Sequence, residues 1–273
     1  MNNSSFNPFR GTPPVVTNII IICALMLFGT YVLRSRMGIE LDQILGLHYV
    51  FADSFRPYQF ITYLFMHGDF FHLLFNMFAF WMFGKVLEQV WGSKRFLIFF
   101  LVTGIGAALV QQLINYYEFT SLYNKILAYS NTPSFESFEI FIKDNLNNPT
   151  SYVTNFVDSW RSAPNNPLLA QQSIGIAQAY YTEMTNVPMV GASGAVYGIL
   201  LGFGMLFPNT ELMLLFPPIP IKAKYMVIVY GAMELYFGLA QPGSNIAHFA
   251  HLGGMLFGFI MIKIWNKKNP NFY

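Results

Sequence analysis

Charged residues are scarce in this sequence. Asp, Glu, Lys and Arg make up 10% of its 273 residues, against roughly a quarter in an ordinary soluble domain. This composition excludes an intrinsically disordered chain, because disorder goes with low hydrophobicity and high net charge. The formal net charge of +2 is also too small to indicate a polyanionic partner, so we expect no binding to nucleic acid.

Cysteine is nearly absent as well. Cys23, inside an apolar run, is the single example, which excludes an intrachain disulfide and a zinc site built from cysteine thiolates. The N-terminal residues do not have the pattern of a signal peptide. The apolar run that follows them is long enough to span a bilayer, and no small-residue cleavage site ends it.

Apolar residues are abundant, at 54% of the chain with 29 Phe. They fall in continuous runs close to the ~20 residues that a transmembrane helix needs. We therefore predict an all-α, polytopic membrane protein. Its six predicted spans are about 15–33, 60–83, 95–115, 191–207, 223–240 and 247–265.

The spans define a membrane domain over 15–265, with tails at 1–14 and 266–273 and a long outer loop at 116–188. With the N-terminus inside, the inner segments carry nine Lys and Arg residues and the outer segments six. The positive-inside rule then places both tails in the cytoplasm, and the bare N-terminus favours a bacterial plasma membrane. The polar loop contains helix-like patches such as FESFEIFIKDNL, and we interpret it as an exposed helical insertion, with substrate docking as the alternative.

Three of the predicted spans carry polar side chains. His72 and Asn76 lie in span two, Ser193 opens span four and His251 opens span six. Because these spans are all even-numbered, they enter the bilayer from the same face, and their side chains could meet. From the span boundaries, we expect Ser193 and His251 in the outer part of the bilayer and the other two nearer its middle.

Small residues indicate which helices touch. Gly194, Gly198 and Gly202 are spaced by four on span four, as are Gly254 and Gly258 on span six. Such ridges let helix backbones approach closely, which a serine–histidine hydrogen bond requires because both side chains are short. A single ridge more often reflects plain packing, but their position directly after a Ser and a His favours catalysis.

The same polar residues also have structural interpretations. Ser193 alone is typical of a helix N-cap, and His72 with Asn76 of a packed polar pair on one helix face. His248 and the histidine three residues later have a spacing that can bind metal, but few acidic ligands accompany them, so we expect no metal site. Glu234 has no identifiable partner in the sequence, and we interpret it as a protonated or cavity-facing structural residue.

Taken together, these clusters resemble the rhomboid family of intramembrane serine proteases. The three motifs occur in order on spans of matching parity, and the resemblance covers about residues 55–265 apart from the long insertion. It implies a six-transmembrane-helix rhomboid bundle. The matching segments are His67 with His72-xxx-Asn76, Gly191-Ala-Ser193-Gly194-Ala-Val-Tyr197-Gly198, and Ala250-His251-Leu-Gly-Gly254-xxx-Gly258.

The resemblance implies a role for each matched residue. Ser193 is expected to be the nucleophile and His251 its general base, in a dyad without a carboxylate. His72 and Asn76 are expected to stabilise the oxyanion together with the Ser193 amide, and Tyr197 to position the histidine. The supporting glycines are Gly194, Gly198, Gly254 and Gly258.

The function implied by the resemblance is cleavage of transmembrane proteins near the outer membrane face, through an acyl-enzyme. The expected partners are transmembrane protein substrates and the lipid bilayer, and neither a metal nor an organic cofactor is needed. Glu88 resembles a structural acidic residue of the family. Two alternatives stay open: a non-catalytic binding or quality-control module of the same fold, and a transporter of a metal or small solute that uses the intramembrane histidines.

Overall fold

The structure is a computed structural model that describes residues 11–146, 148–213, 219–240 and 246–268. The predicted tails 1–14 and 266–273 therefore fall largely outside the described residues. A 3-10 turn spans Tyr63–Phe65, and two short antiparallel strands, β1 (Glu211–Met213) and β2 (Pro220–Lys222), pair with each other. The described helices are α1 (Pro14–Met37), α2 (Leu41–Leu45), α3 (Gln59–Thr62), α4 (Phe70–Trp91), α5 (Ser93–Asn131), α6 (Phe135–Asn145), α7 (Ser151–Ser162), α8 (Pro167–Thr185), α9 (Ser193–Leu206), α10 (Ala223–Ala240) and α11 (His248–Lys268).

Among the residues that the structure describes, four helices are long and apolar enough to cross a bilayer: α1, α4, α5 and α11. On α1, Leu25 and Phe28 remain 62% and 68% exposed, which suits contact with lipid rather than with water. These features confirm the predicted all-α membrane architecture. The number of six spans stays a prediction, because α9 has 14 residues, about 21 Å of helix against a hydrocarbon core about 30 Å thick.

The second predicted span, 60–83, is divided in the structure. Its first residues form α3 and the 3-10 turn, the chain is extended at Met66, and α4 begins only at Phe70. Asp69 is the N-cap of α4, because its carboxylate accepts a hydrogen bond from the His72 amide at 2.9 Å. The predicted boundary is therefore wrong, and both His72 and Asn76 lie in the first two turns of a helix rather than in its middle.

Helix α9 lies at the centre of the bundle. Nine of its 14 residues are buried, and it packs against α4, α10 and α11. Its contact with α11 is close enough to exclude side chains: a Cβ built on Gly254 would lie 1.8 Å from the carbonyl oxygen of Gly194. One built on Gly198 would lie 2.9 Å from the carbonyl oxygen of Gly254. The two glycine ridges thus face each other and bring the helix backbones together.

The chain divides into two compact units, one formed by Asn115–Val187 and the other by the rest. The smaller unit contains the end of α5 with α6, α7 and α8. It has an apolar core of its own, in which Phe138 and Trp160 have no exposed surface. Helix α6 begins with a capping box in which Ser134 and Ser137 exchange hydrogen bonds, and it confirms the helix-like patch predicted there. The role of this unit as an exposed insertion stays a prediction.

Candidate active site

Ser193 and His251 lie in hydrogen-bond contact. The Ser193 hydroxyl oxygen is 2.8 Å from Nε2 of His251, and these residues lie in the first turns of α9 and α11. The N-cap of α9 is Ala192, which makes no side-chain capping bond, so Ser193 does not have the capping role that a lone Ser-Gly pair favours. A hydroxyl that donates to a histidine nitrogen is the arrangement that activates a serine nucleophile.

The ring of Tyr197 covers one face of the His251 imidazole. The two ring centroids are 4.3 Å apart and the planes differ by 8°. Tyr197 follows Ser193 by four residues on α9, so one helix face presents both the hydroxyl and the ring. His251 is only 8% exposed, and the stacked phenol leaves its imidazole little room to turn away from Ser193.

His72 and Asn76 converge on the backbone just before Ser193. A Cβ built on Gly191 would lie 2.8 Å from His72 Nε2 and 3.9 Å from Asn76 Nδ2. Gly191 has a φ of +122°, so both its conformation and its lack of a side chain are required there. The amide of Gly68 donates to His72 Nδ1 at 3.4 Å, which leaves Nε2 as the donor of that ring.

His67 does not join this group of donors. Its ring lies edge-on to the ring of His72, with centroids 5.1 Å apart. The side chain is 2% exposed, and neither ring nitrogen has a hydrogen-bond partner among the described residues. The contact arises because the chain turns between the two histidines instead of continuing as one helix, a break that Gly68 and Asp69 signal in the sequence.

Ser193 faces a cavity of about 780 Å³. Polar side chains line it from the 3-10 turn and from α4, α9, α10 and α11, and most of the remaining lining is apolar. A mainly apolar cavity with a few convergent polar groups is typical of a binding site. The polar lining residues are Tyr63, His72, Asn76, Ser193, Tyr197, Tyr230 and His251, and the apolar ones include Phe75, Phe78, Met82, Leu200 and Met226.

Glu234, on α10, has partners that the sequence did not indicate. The Tyr197 hydroxyl donates to its Oε1, and Nδ1 of His248 lies 2.6 Å from its Oε2. The same Oε2 lies 3.0 Å from Nδ1 of His251. The sequence identified no partner for Glu234, whereas the structure places three side chains around its carboxylate; its interpretation as a protonated or cavity-facing structural residue stays a prediction. Only the packing of α10 against α9 and α11 creates these contacts, and no spacing in the sequence signals them.

The same carboxylate and imidazoles form a group that could hold a metal ion. Within the described part of the chain, Glu234, His248 and His251 offer ligand atoms that lie within 4.8 Å of one another. Two histidines and a glutamate are a common zinc donor set. Here, however, both oxygens of Glu234 already accept hydrogen bonds, so the arrangement fits a hydrogen-bonded network better than a metal centre.

Helices of membrane length around a partly buried serine–histidine pair define a polytopic membrane protein with a polar centre. The family model of the Rhomboid domain matches residues 54–122 and 168–268, well over half of the chain. The chain therefore belongs to the rhomboid family, which confirms the resemblance seen in the motifs. The unmatched interval between the two segments, 123–167, lies entirely inside the smaller compact unit.

Curated relatives agree with this assignment. Rhomboid protease GlpG of Haemophilus influenzae is 23% identical over 184 residues, which cover 63% of this chain and 82% of the relative. YdcA of Bacillus subtilis is 21% identical over 273 residues, covering 100% of this chain and 99% of the relative. Rhomboid-like protein 11, chloroplastic, of Arabidopsis thaliana is 40% identical over 90 residues, 31% of this chain and 32% of the relative.

Proposed function

We propose that this chain is an intramembrane serine protease in which Ser193 is the nucleophile and His251 the general base. The observation that supports the proposal is the 2.8 Å contact between Ser193 Oγ and His251 Nε2. A second support is that the relative from Haemophilus influenzae is named a rhomboid protease. A serine whose proton has an acceptor at this distance is prepared for acyl transfer.

In the first step, Ser193 Oγ attacks the carbonyl carbon of the peptide bond while its proton passes to His251 Nε2. The oxyanion accepts hydrogen bonds from His72 Nε2, Asn76 Nδ2 and the amide of Ser193, which as the first residue of α9 has no acceptor in its own helix. His251 then gives the proton to the leaving amine. Water attacks the resulting ester and regenerates the serine by the same proton path.

The proposed substrates are transmembrane proteins. A helical segment shields its own carbonyls by hydrogen bonding, so the cleaved segment must unwind before Ser193 can attack it. Gly, Pro or small polar residues near the outer end of the substrate helix would permit this unwinding. The largely apolar lining of the cavity supports the proposal, because it suits the side chains of a segment that enters from the bilayer.

We propose that the protein spans a bacterial plasma membrane with both termini in the cytoplasm. The catalytic pair then lies towards the outer face of the membrane. The excess of Lys and Arg in the inner segments supports this orientation. Single cysteines introduced into a Cys23→Ser chain can test it. Arg36→Cys should react with a membrane-impermeant maleimide added outside intact cells, whereas Lys94→Cys should react only after lysis. The opposite pattern would reverse the orientation.

The catalytic proposal is tested by Ser193→Ala in liposomes that contain a fluorogenic transmembrane substrate. We expect cleavage to stop in this variant. Ser35→Ala is the matched control, because Ser35 is exposed and its hydroxyl donates to the carbonyl of Val32. Equal turnover by Ser193→Ala and the wild-type chain would refute the proposal.

A fluorophosphonate probe separates catalysis from the non-catalytic alternative. Ser193 should be labelled in the wild-type chain, because His251 accepts its proton, and His251→Ala should remove the labelling. A binding or quality-control module with an unactivated serine would give neither labelling nor cleavage.

A further inference from the structure

A buried carboxylate lies behind the proposed catalytic pair. Glu234 is 8% exposed and comes from α10, a helix that contributes nothing to the Ser193–His251 contact itself. An ionisable side chain inside a membrane bundle is costly and is kept where it serves a function. Any part that Glu234 plays in catalysis rests on the proposed protease function.

Two neighbouring side chains hold this carboxylate from two elements. Tyr197 on α9 donates its hydroxyl proton to Oε1, and His248 on α11 lies with Nδ1 2.6 Å from Oε2. Each oxygen therefore has a donor of its own, which fixes the plane of the carboxylate. His248 precedes His251 by three residues, so the two imidazoles lie on one face of α11 and flank the same oxygen.

The free edge of the His251 ring faces this carboxylate. Nε2 must accept the Ser193 proton, so Nδ1 must carry the ring proton in the reactive tautomer. That Nδ1 is buried and makes no hydrogen bond of good geometry among the described residues. Oε2 of Glu234 is 3.0 Å away, within reach, but not aligned as a linear hydrogen bond requires.

The position of Glu234 matters most when His251 is protonated. Transfer of the Ser193 proton to Nε2 turns the imidazole into an imidazolium, whose positive charge develops about 3 Å from the carboxylate oxygen. Attraction between opposite charges is strong in a site with little water. Alignment of the Nδ1–H with Oε2 as this charge forms would hold the ring in the productive orientation.

We propose that Glu234 is a positioning residue that selects the Nδ1–H tautomer of His251 and stabilises its protonated form. The functional unit is then a serine, a histidine and a carboxylate, with Tyr197 and His248 as the side chains that hold the carboxylate. Glu234 stays ionised throughout, and protons move only between His251 Nε2, Ser193 Oγ, the leaving amine and the attacking water.

Glu234→Gln tests the proposal, because it removes the charge with almost no change in volume. We expect kcat to fall about 10- to 100-fold, which is less than the ~10²–10⁴ of a group that itself transfers the proton, since the contact with His251 is not linear. KM should stay within about twofold, because the substrate does not touch this residue. Glu234→Asp, which keeps the charge, should retain more kcat than Glu234→Gln.

Glu88→Gln is the matched control for the loss of a buried carboxylate. Glu88 accepts hydrogen bonds from the amides of Val15 and Val16 and from Ser93 Oγ, away from the cavity. This control should lower the melting temperature in detergent while the kcat per folded molecule stays at the wild-type value. If Glu234→Gln behaves like Glu88→Gln, its role is structural and the proposal is overturned.

NMR of the wild-type chain labelled with [¹⁵N]histidine tests the positioning role without measuring turnover. The result also does not depend on whether a variant folds. The neutral His251 ring of the wild-type chain should be protonated at Nδ1, and that proton should shift downfield when the ring is protonated and the hydrogen bond to Glu234 becomes charge-assisted. Tyr197→Phe, which keeps the stacked ring but frees one oxygen of Glu234, should weaken the shift. A wild-type ring without the shifted proton would overturn the proposal.

The remaining outcomes are also decisive. If the wild-type chain cleaves no substrate, the proposed protease function is refuted. The NMR result would still test the contact between Glu234 and His251. Wild-type cleavage that Glu234→Gln leaves unchanged would remove only the positioning role. Cleavage that depends on added zinc and is abolished by a chelator would assign the same three side chains to a metal and overturn the proposal.

Discussion

Replacement of Gly254 by alanine should push α11 away from α9 and break the contact between Ser193 and His251. Gly254 follows His251 by one turn. An alanine Cβ there would lie 1.8 Å from the carbonyl oxygen of Gly194 and 2.6 Å from its carbonyl carbon. Real Cβ atoms essentially never approach other atoms closer than 3.0 Å, and here both atoms belong to a helix backbone, which cannot move aside as a flexible side chain does.

The size of the effect follows from these distances. To extend the contact from 1.8 to 3.0 Å, the helices must separate by about 1.2 Å. If the same displacement is transmitted to the catalytic pair, the 2.8 Å hydrogen bond lengthens to about 4 Å, beyond hydrogen-bonding range. A misplacement of about 1 Å costs on the order of 100-fold in rate, and overpacking costs about 1–3 kcal/mol of stability.

The assay is cleavage of a transmembrane substrate in liposomes, normalised to folded protein by fluorescence-detected gel filtration. Gly231→Ala is the matched control, because its Cβ would meet only the flexible end of Met255, 3.3 Å from Cε. We expect Gly231→Ala to retain wild-type kcat and Gly254→Ala to lose about 100-fold. A folded Gly254→Ala chain with wild-type kcat would refute the idea that backbone contact between α9 and α11 sets the Ser193–His251 distance.

Three further substitutions probe other parts of the molecule. Asn76→Ala should lower kcat by about 100-fold through loss of one oxyanion donor, and an effect on KM alone would contradict that role. Glu88→Gln should cost about 1–3 kcal/mol of stability, because it leaves an amide at the start of α1 without a charged acceptor; an unchanged melting temperature would argue against it. Trp160→Ala should destabilise the unit Asn115–Val187 by about 3–5 kcal/mol, seen as faster limited proteolysis there, while cleavage by the membrane unit continues.

Much of the architecture could be predicted from the order of residues. Apolar runs of membrane length predict helices. A backbone segment surrounded by lipid has no water to bond to, so its N–H and C=O groups must form hydrogen bonds within the segment. The predicted span 223–240 has the same bounds as α10, and the predicted start of span six lies one residue from that of α11. These successes rest on local properties, hydropathy and length, which need no knowledge of neighbouring elements.

The beginning of α4 shows where hydropathy fails. Residues 60–83 are apolar throughout most of their length, so hydropathy alone predicts one span. The Asp69 carboxylate caps a helix that starts at Phe70, and the preceding residues form a separate turn. This local signal is visible in the sequence, but a hydropathy average over a whole span hides it.

The residues of the candidate site could be recognised from the sequence alone, as a serine, a histidine and two polar donors in glycine-rich motifs. The order of these motifs indicates the family, because each motif has its own side-chain types and spacing. Their distances could not be predicted in the same way. The 2.8 Å contact between Ser193 and His251 exists because glycines on α9 and α11 let the two backbones meet.

The position of Glu234 was decided by tertiary structure alone. It lies 41 residues after Ser193 and 17 before His251 along the chain, and no periodicity connects it with either. Three helices must pack before Tyr197, His248 and His251 surround its carboxylate. Local sequence determines which segments are helical and which side chains each one carries. The hydrogen-bond partners of a buried polar group, in contrast, depend on every helix that packs around it.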